Sequence, residues 1–300
     1  MAKIVLGFNA NCFTNRYDEP GEWTRICADL GVRHVMFSID LIDPLWPWGL
    51  QRRLCDQTLD ACARRGIAIR ASFGGHHGHR HYLGHPDRAV RHRAEDFYRR
   101  AIRQTAYLGG ASFGTCFAIL SVRDHEDPQR REAVLAQALD AYARLSAYAA
   151  DQGLGALVYE ATSTPRESCA TFAENDRVLA AGAHWPAPLR VCLDLGHRYL
   201  GGAPQEADPL AWIRRYGARC DVIDCQQTDR HASRHWPFTD EHNARGTVRA
   251  DEVVAAVEDS GEGEVLLAFE IRTPAFHPQE NAHLDHLAAS VAYWRRWVRD

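Results

Sequence analysis

Short apolar runs rich in Val, Ile and Phe alternate along the whole chain with longer segments whose apolar residues recur every three or four positions. These are the signatures of strand and helix. Eight runs predict strands: Lys3 to Asn9, Arg33 to Ile39, Ile67 to Phe73, Ser112 to Leu120, Ala156 to Glu160, Arg190 to Asp194, Val222 to Gln226 and Val265 to Ile271. The intervening segments 21–30, 50–65, 88–108, 128–151, 171–182, 208–216, 250–259 and 283–298 predict amphipathic helices. In 128–151, Val134, Leu135, Ala138, Leu139, Tyr142 and Leu145 fall on one stripe, Pro128 suits the first turn and Gly153 follows the end.

Every parallel strand needs helical cover, so eight strand–helix pairs without a linker or composition break predict one α/β domain over 1–300, a (β/α)8 TIM barrel. A doubly wound open sheet is the alternative, but the glycine-rich first turn such sheets usually carry is missing from LGFNANCFTN.

Composition narrows the chemistry. With 35 basic against 39 acidic residues the net charge is -4, and the arginines are scattered among acids, which argues against nucleic acid. No apolar run is long enough for a membrane span and the start has no signal-peptide pattern, so a cytoplasmic protein without membrane partners is expected. Nine cysteines, an odd number without a CxxC pair, indicate buried reduced thiols. Lys3, the only lysine, lies at the start of the first strand, which speaks against Schiff-base chemistry and a P-loop.

In a (β/α)8 barrel the carboxyl ends of the strands form the active face. Glu160, Asp194 and Glu270 each terminate an apolar strand, and converging carboxylates need a cation or a shared proton to offset their repulsion. His197 follows Asp194 by three residues, within reach of a metal or a substrate oxygen. On the seventh strand, period two places Asp224 and Gln226 on one face and Gln227 on the other. Mixed carboxylate, carboxamide and imidazole donors suit Mn2+ best, with Mg2+ or Co2+ as alternatives, over a structural zinc. The run HHGHRHYLGH at 76–85 is a competing metal signal, or a substrate-side loop.

The order of Glu160, Asp194 with His197, a seventh-strand donor and Glu270 resembles the xylose isomerase-like (AP endonuclease 2-like) TIM barrels, which include metal-dependent ketose 3-epimerases. More narrowly, FSIDLIDP at 37–44, HYLGHPD at 81–87, YEATSTPRE at 159–167, LDLGH at 193–197 and QQTDRHASRHWPFT at 226–239 are similar to tetrulose-phosphate 3-epimerases of erythritol and threitol catabolism. The resemblance implies Glu160 and Glu270 as the two proton-transfer groups. It implies Glu160, Asp194, a seventh-strand residue and Glu270 as metal ligands, and His197 on the ketose oxygens. The family's metal-binding histidine on strand seven falls here on Asp224, or on Gln226 if the register shifts by two.

A proton next to a ketone is too weakly acidic for a free carboxylate, so a divalent ion chelated by the carbonyl and the adjacent hydroxyl is expected to stabilise the enediolate. Without a lysine at the active end, Arg166, and Arg234 with His235, are the candidates for a substrate phosphate. Trp236 and Phe238, and Trp46 with Trp48, are candidate pocket walls, the latter pair equally an oligomer contact. The expected partner is a small sugar or sugar phosphate, with a homo-oligomer possible. An aldose–ketose isomerase and a non-catalytic sugar-binding barrel remain alternatives on the same scaffold.

Overall fold

The structure, a computed structural model, describes residues 2–74, 83–198, 203–261, 263–273 and 278–299. Eight strands, β1 (Lys3–Asn9), β2 (His34–Ser38), β3 (Ala68–Phe73), β4 (Ser112–Cys116), β5 (Ala156–Ala161), β6 (Leu189–Asp194), β7 (Cys220–Cys225) and β8 (Glu264–Phe269), close into a barrel in sequence order. The helices are α1 (Pro20–Asp29), α2 (Trp48–Arg65), α3 (Arg88–Tyr107), α4 (Val122–Glu126), α5 (Pro128–Asp151), α6 (Phe172–Gly182), α7 (Pro209–Tyr216), α8 (Asp240–Arg245), α9 (Ala250–Asp259) and α10 (His283–Trp294). The predicted (β/α)8 barrel is the fold observed.

Helix starts follow local chemistry. Asp87, Asp127 and Asp208 accept hydrogen bonds from the first free N–H groups of α3, α5 and α7, with Pro128 and Pro209 at the first helical position. The short α4 and α8 have no periodic stripe to betray them, yet each follows a capping hydroxyl, Ser121 and Thr239. Several predicted strands end a residue or two early, and the fourth is shortened most: β4 stops at Cys116, paired with Glu160, and beyond it the Leu120 N–H donates to the Arg166 carbonyl. Phe117 to Leu120 are apolar because they are buried, not because they pair in the sheet.

The chain divides into two compact units, 1–36 with 64–68 and 192–300, and 37–63 with 69–191. In the first, β8 is flanked by β1 (Lys3↔Glu264 to Phe8↔Phe269) and β7 (Val222↔Leu266 to Cys225↔Phe269). Rings of Phe8, Phe13, Phe238, Phe269 and Trp294 pack edge to face or tilted at centroid distances of 5.3–6.4 Å. This apolar plug fixes the carboxyl ends of β1 and β8. At the opposite end Lys3 Nζ pairs with Glu264 at 2.7 Å.

In the second unit β4 joins β3 and β5. Phe117 stacks on Tyr142 and meets Tyr159 edge-on. The buried Tyr159 hydroxyl donates to Asn175 Oδ1 at 2.5 Å, and Asn175 Nδ2 donates to the Cys169 carbonyl at 3.1 Å, tying β5 to α6 and the turn before it.

Candidate active site

Asp194 ends β6 fully buried, and its carboxylate is held from several sides. The Gly196 N–H donates to Oδ1 at 2.6 Å, and Gln226 Nε2 lies 2.9 and 2.8 Å from the two oxygens. Gln226 Oε1 accepts from the His235 N–H at 2.6 Å and from the Ser233 hydroxyl at 3.1 Å, so both ends of this carboxamide are engaged. Gly196 is required sterically: a Cβ there would lie 2.2 Å from Gln226 Cδ. The DLGH spacing thus places a residue without a side chain beneath Gln226 and leaves His197 Nε2 3.5 Å from Asp194 Oδ2.

Glu270 is the first residue past β8, and its N–H donates to the Cys225 carbonyl. Its carboxylate meets Arg272 Nη2 at 2.5 Å and His235 Nδ1 at 3.3 Å. Burial alone would raise this carboxyl, but the Arg272 guanidinium, the His235 imidazole and hydrogen bonding with Asp194 outweigh it and hold the group well below the usual carboxylate range. His235 reaches this position because the chain after β7 doubles back, with Gln227 and Trp236 forming an antiparallel bridge, and because His235 adopts a left-handed φ of 49°. Gln227, on the other side of the strand, bonds Asn243 and the Val248 backbone and so anchors that loop. One donor atom each from Asp194, His235 and Glu270 lie within 4.8 Å of one another.

Asp224 is buried one step below Gln226 on β7, its carboxylate accepting from Asn9 Nδ2 at 3.3 Å and from the Cys192 thiol at 3.5 Å. Arg234 pairs with Asp229 at 3.0 Å and lies over the Trp236 ring. Glu160, in the second unit, is buried near the end of β5. Arg166 donates to the Leu120 carbonyl and, with His85, Ile119, Leu120, Ser121 and Glu167, lines a cavity of about 320 Å³ between the loops that follow β3, β4 and β5. His76, His77, His79 and His81 lie outside the described residues. Sequence reasoning passed over Arg272, Ser233 and Gly196. Arg272 alone carried a signal, since an extended chain puts positions 270 and 272 on one side.

The family model for xylose isomerase-like TIM barrels matches residues 24–295. The chain belongs to this family. It is 31% identical over 297 residues to the D-erythrulose 1-phosphate 3-epimerase of Brucella abortus, an alignment that covers 97% of this chain and 95% of that one. Among solved structures, that of a candidate xylose isomerase from Rhodospirillum rubrum superposes with a TM-score of 0.90 at 27% identity, covering 98% of this chain and 99% of that one. The D-psicose 3-epimerase of Clostridium cellulolyticum shares the fold, with a TM-score of 0.69 at 13% identity over the full length of both chains.

Two buried carboxylates and an imidazole offer oxygen and nitrogen donors without thiolate, a set that fits Mn2+, Mg2+ or Co2+. Arg272 and His235 pair with Glu270, and a divalent cation would offset the remaining carboxylate charge of Asp194 and Glu270. No described helix is long and apolar enough to cross a membrane, and all nine cysteines are buried thiols outside any disulfide.

Proposed function

We propose that the protein is a divalent-metal-dependent 3-epimerase of a small ketose phosphate, erythrulose phosphate being the first candidate. The observation that carries the reading is the convergence of Asp194, His235 and Glu270 at the carboxyl ends of their strands or the loop beyond, in a chain 31% identical to an erythrulose 1-phosphate 3-epimerase. Its nine buried thiols, none in a disulfide, suit a reducing cytoplasm.

In this reading Glu270 takes the proton from the carbon beside the ketone and Glu160 returns one on the opposite face, or the reverse for the other stereoisomer. Both are buried acids at or just past the carboxyl end of a strand, Glu160 on β5 and Glu270 after β8. Asp194, Glu270 and His235, with Glu160, would hold the cation, which supplies Lewis acidity for the charge that develops on the ketone oxygen. His235 then takes the role for which the sequence offered Asp224, while Gln226 keeps Asp194 oriented. His197 is assigned to the ketose oxygens. Arg166 and the cavity it lines are assigned to the phosphate, since a planar guanidinium matches phosphate oxygens. Arg234, already paired with Asp229, is a weaker candidate.

The test is proton NMR in D2O of the Mg2+-loaded protein with D-erythrulose 1-phosphate, followed by polarimetry. Loss of the C3 proton together with loss of optical rotation is the expected result. Formation of an aldose from the free ketose, without loss of the C3 proton, would indicate an aldose–ketose isomerase instead, and no exchange with any ketose or ketose phosphate would overturn the proposal.

A further inference from the structure

Arg272 transfers no proton and binds no cation in the epimerase reading, yet its guanidinium lies 2.5 Å from one oxygen of Glu270. The backbone that carries it is held from both sides. The Arg272 N–H donates to the His235 carbonyl at 3.0 Å, and His235 Nδ1 lies 3.3 Å from the Glu270 carbonyl, which ties residues 270–272 to the loop after β7. One residue further on, Arg16 donates to the Thr273 carbonyl, and the Thr273 hydroxyl meets His283 Nδ1 at 3.0 Å. A guanidinium on so fixed a base has little freedom to follow its partner.

The guanidinium engages a single carboxylate oxygen. Arg272 Nη2 donates to Oε1, while Oε2, buried, faces His235 Nδ1 at 3.3 Å and accepts no N–H hydrogen bond among the described residues. A carboxylate that served only as a metal ligand would hold a cation most strongly with its whole charge and both oxygens available. A positive group on one oxygen draws on that charge and weakens the hold. What the contact supplies is orientation. The terminal torsion of a glutamate is otherwise soft, and with Oε1 fixed by a charge-assisted hydrogen bond the direction of Oε2 is fixed too. Placement is what a proton-transfer group needs, since a misplacement of about 1 Å costs about a hundredfold in rate.

We propose that Arg272 is a positioning residue, which fixes Oε2 of Glu270 as the proton-transfer oxygen and in doing so lowers the affinity of the site for its cation. This role rests on the epimerase reading of the same site. It has a signature that a merely structural role lacks: removing the guanidinium tightens metal binding while it slows the reaction.

The experiment compares the full-length wild type with Arg272→Ala and Arg272→Lys, by calorimetric titration of the metal-free proteins with Mn2+ and by C3 proton exchange of D-erythrulose 1-phosphate in D2O. Arg272→Ala should bind Mn2+ about tenfold more tightly and exchange about a hundredfold more slowly at saturation, with KM unchanged. Arg272→Lys restores the charge without the planar fork, so its Mn2+ affinity should return towards that of the wild type while exchange stays slow. The Arg272 side chain is 38% exposed, so its truncation spares the core. If Arg272→Ala nevertheless fails to fold, Arg272→Met keeps an apolar stem without the charge and takes its place. Mn2+ affinity unchanged or weakened in the neutral variant, exchange at the wild-type rate, or a raised KM with kcat intact would each overturn the proposal, the last by placing Arg272 on the substrate. No exchange by the wild type would overturn the epimerase reading and this role with it, whereas failure of the role alone shows as an exchanging wild type matched by its neutral variant.

Discussion

His283 opens α10 at 1% exposure, with Nδ1 3.0 Å from the Thr273 hydroxyl and Nε2 2.9 Å from the Cys12 carbonyl. A neutral ring satisfies both, accepting from Thr273 and donating to Cys12. A protonated ring would turn a second donor on Thr273 and lie buried near Arg16, which itself donates to the Thr273 carbonyl. Burial, reinforced by Arg16, pushes the imidazole down from its ordinary 6.5 to about 4. The unfolded chain therefore binds this proton from pH 6.5 downward while the folded one refuses it until about pH 4. Stability is complete above that window and falls through it, by about 3 kcal/mol at roughly 1.4 kcal/mol for each tenfold change in proton affinity. Urea unfolding across this range should show the decline in the wild type. His283→Gln keeps a donor and an acceptor but cannot titrate, and should flatten the curve by a similar amount. Parallel pH dependences in the two proteins would refute the reasoning. Thr273 lies three residues past Glu270, so the same acid range should also loosen the chain that carries the Glu270 carboxylate.

Three further outcomes follow from the site. Gly196→Ala should drive Gln226 off Asp194, costing about 1–3 kcal/mol of stability and lowering C3 proton exchange about tenfold or more; a wild-type exchange rate would show that Gln226 does not need its seat. Glu270→Gln should reduce exchange about a thousandfold with the melting temperature little changed, and retained exchange would remove Glu270 from proton transfer. Arg166→Ala should raise KM about tenfold or more for a phosphorylated tetrulose and leave the free sugar unaffected, whereas equal effects on both would place the phosphate elsewhere.

The barrel was legible because its strands announce themselves: each apolar run ends near a turn or an acid, and the helix over 128–151 shows its stripe, its Pro128 and its closing Gly153. Boundaries were less so at β4, where buried apolar residues continue past the last sheet pair and local composition does not distinguish burial from pairing. At the site, strand ends identify Asp194 and Glu270 as candidates. Alternation along β7 puts Asp224 and Gln226 on one face without saying which lies at the level of Asp194. Height in a barrel is set by register with neighbouring strands, which no single segment encodes. His235 was visible only as a loop residue. Its approach to Glu270 depends on the Gln227–Trp236 bridge and a left-handed backbone angle, both consequences of tertiary closure.

The ion pair of Lys3 with Glu264 has a practical side. Lys3 carries the only ε-amine in the chain, its side chain 68% exposed, at the end of β1 and β8 opposite to Glu270. Amine-reactive dyes or resins aimed at lysine side chains will therefore attach at one address, on the far rim of the barrel. The protein can be immobilised or labelled in a defined orientation with its acid cluster facing outward, without engineering a tag.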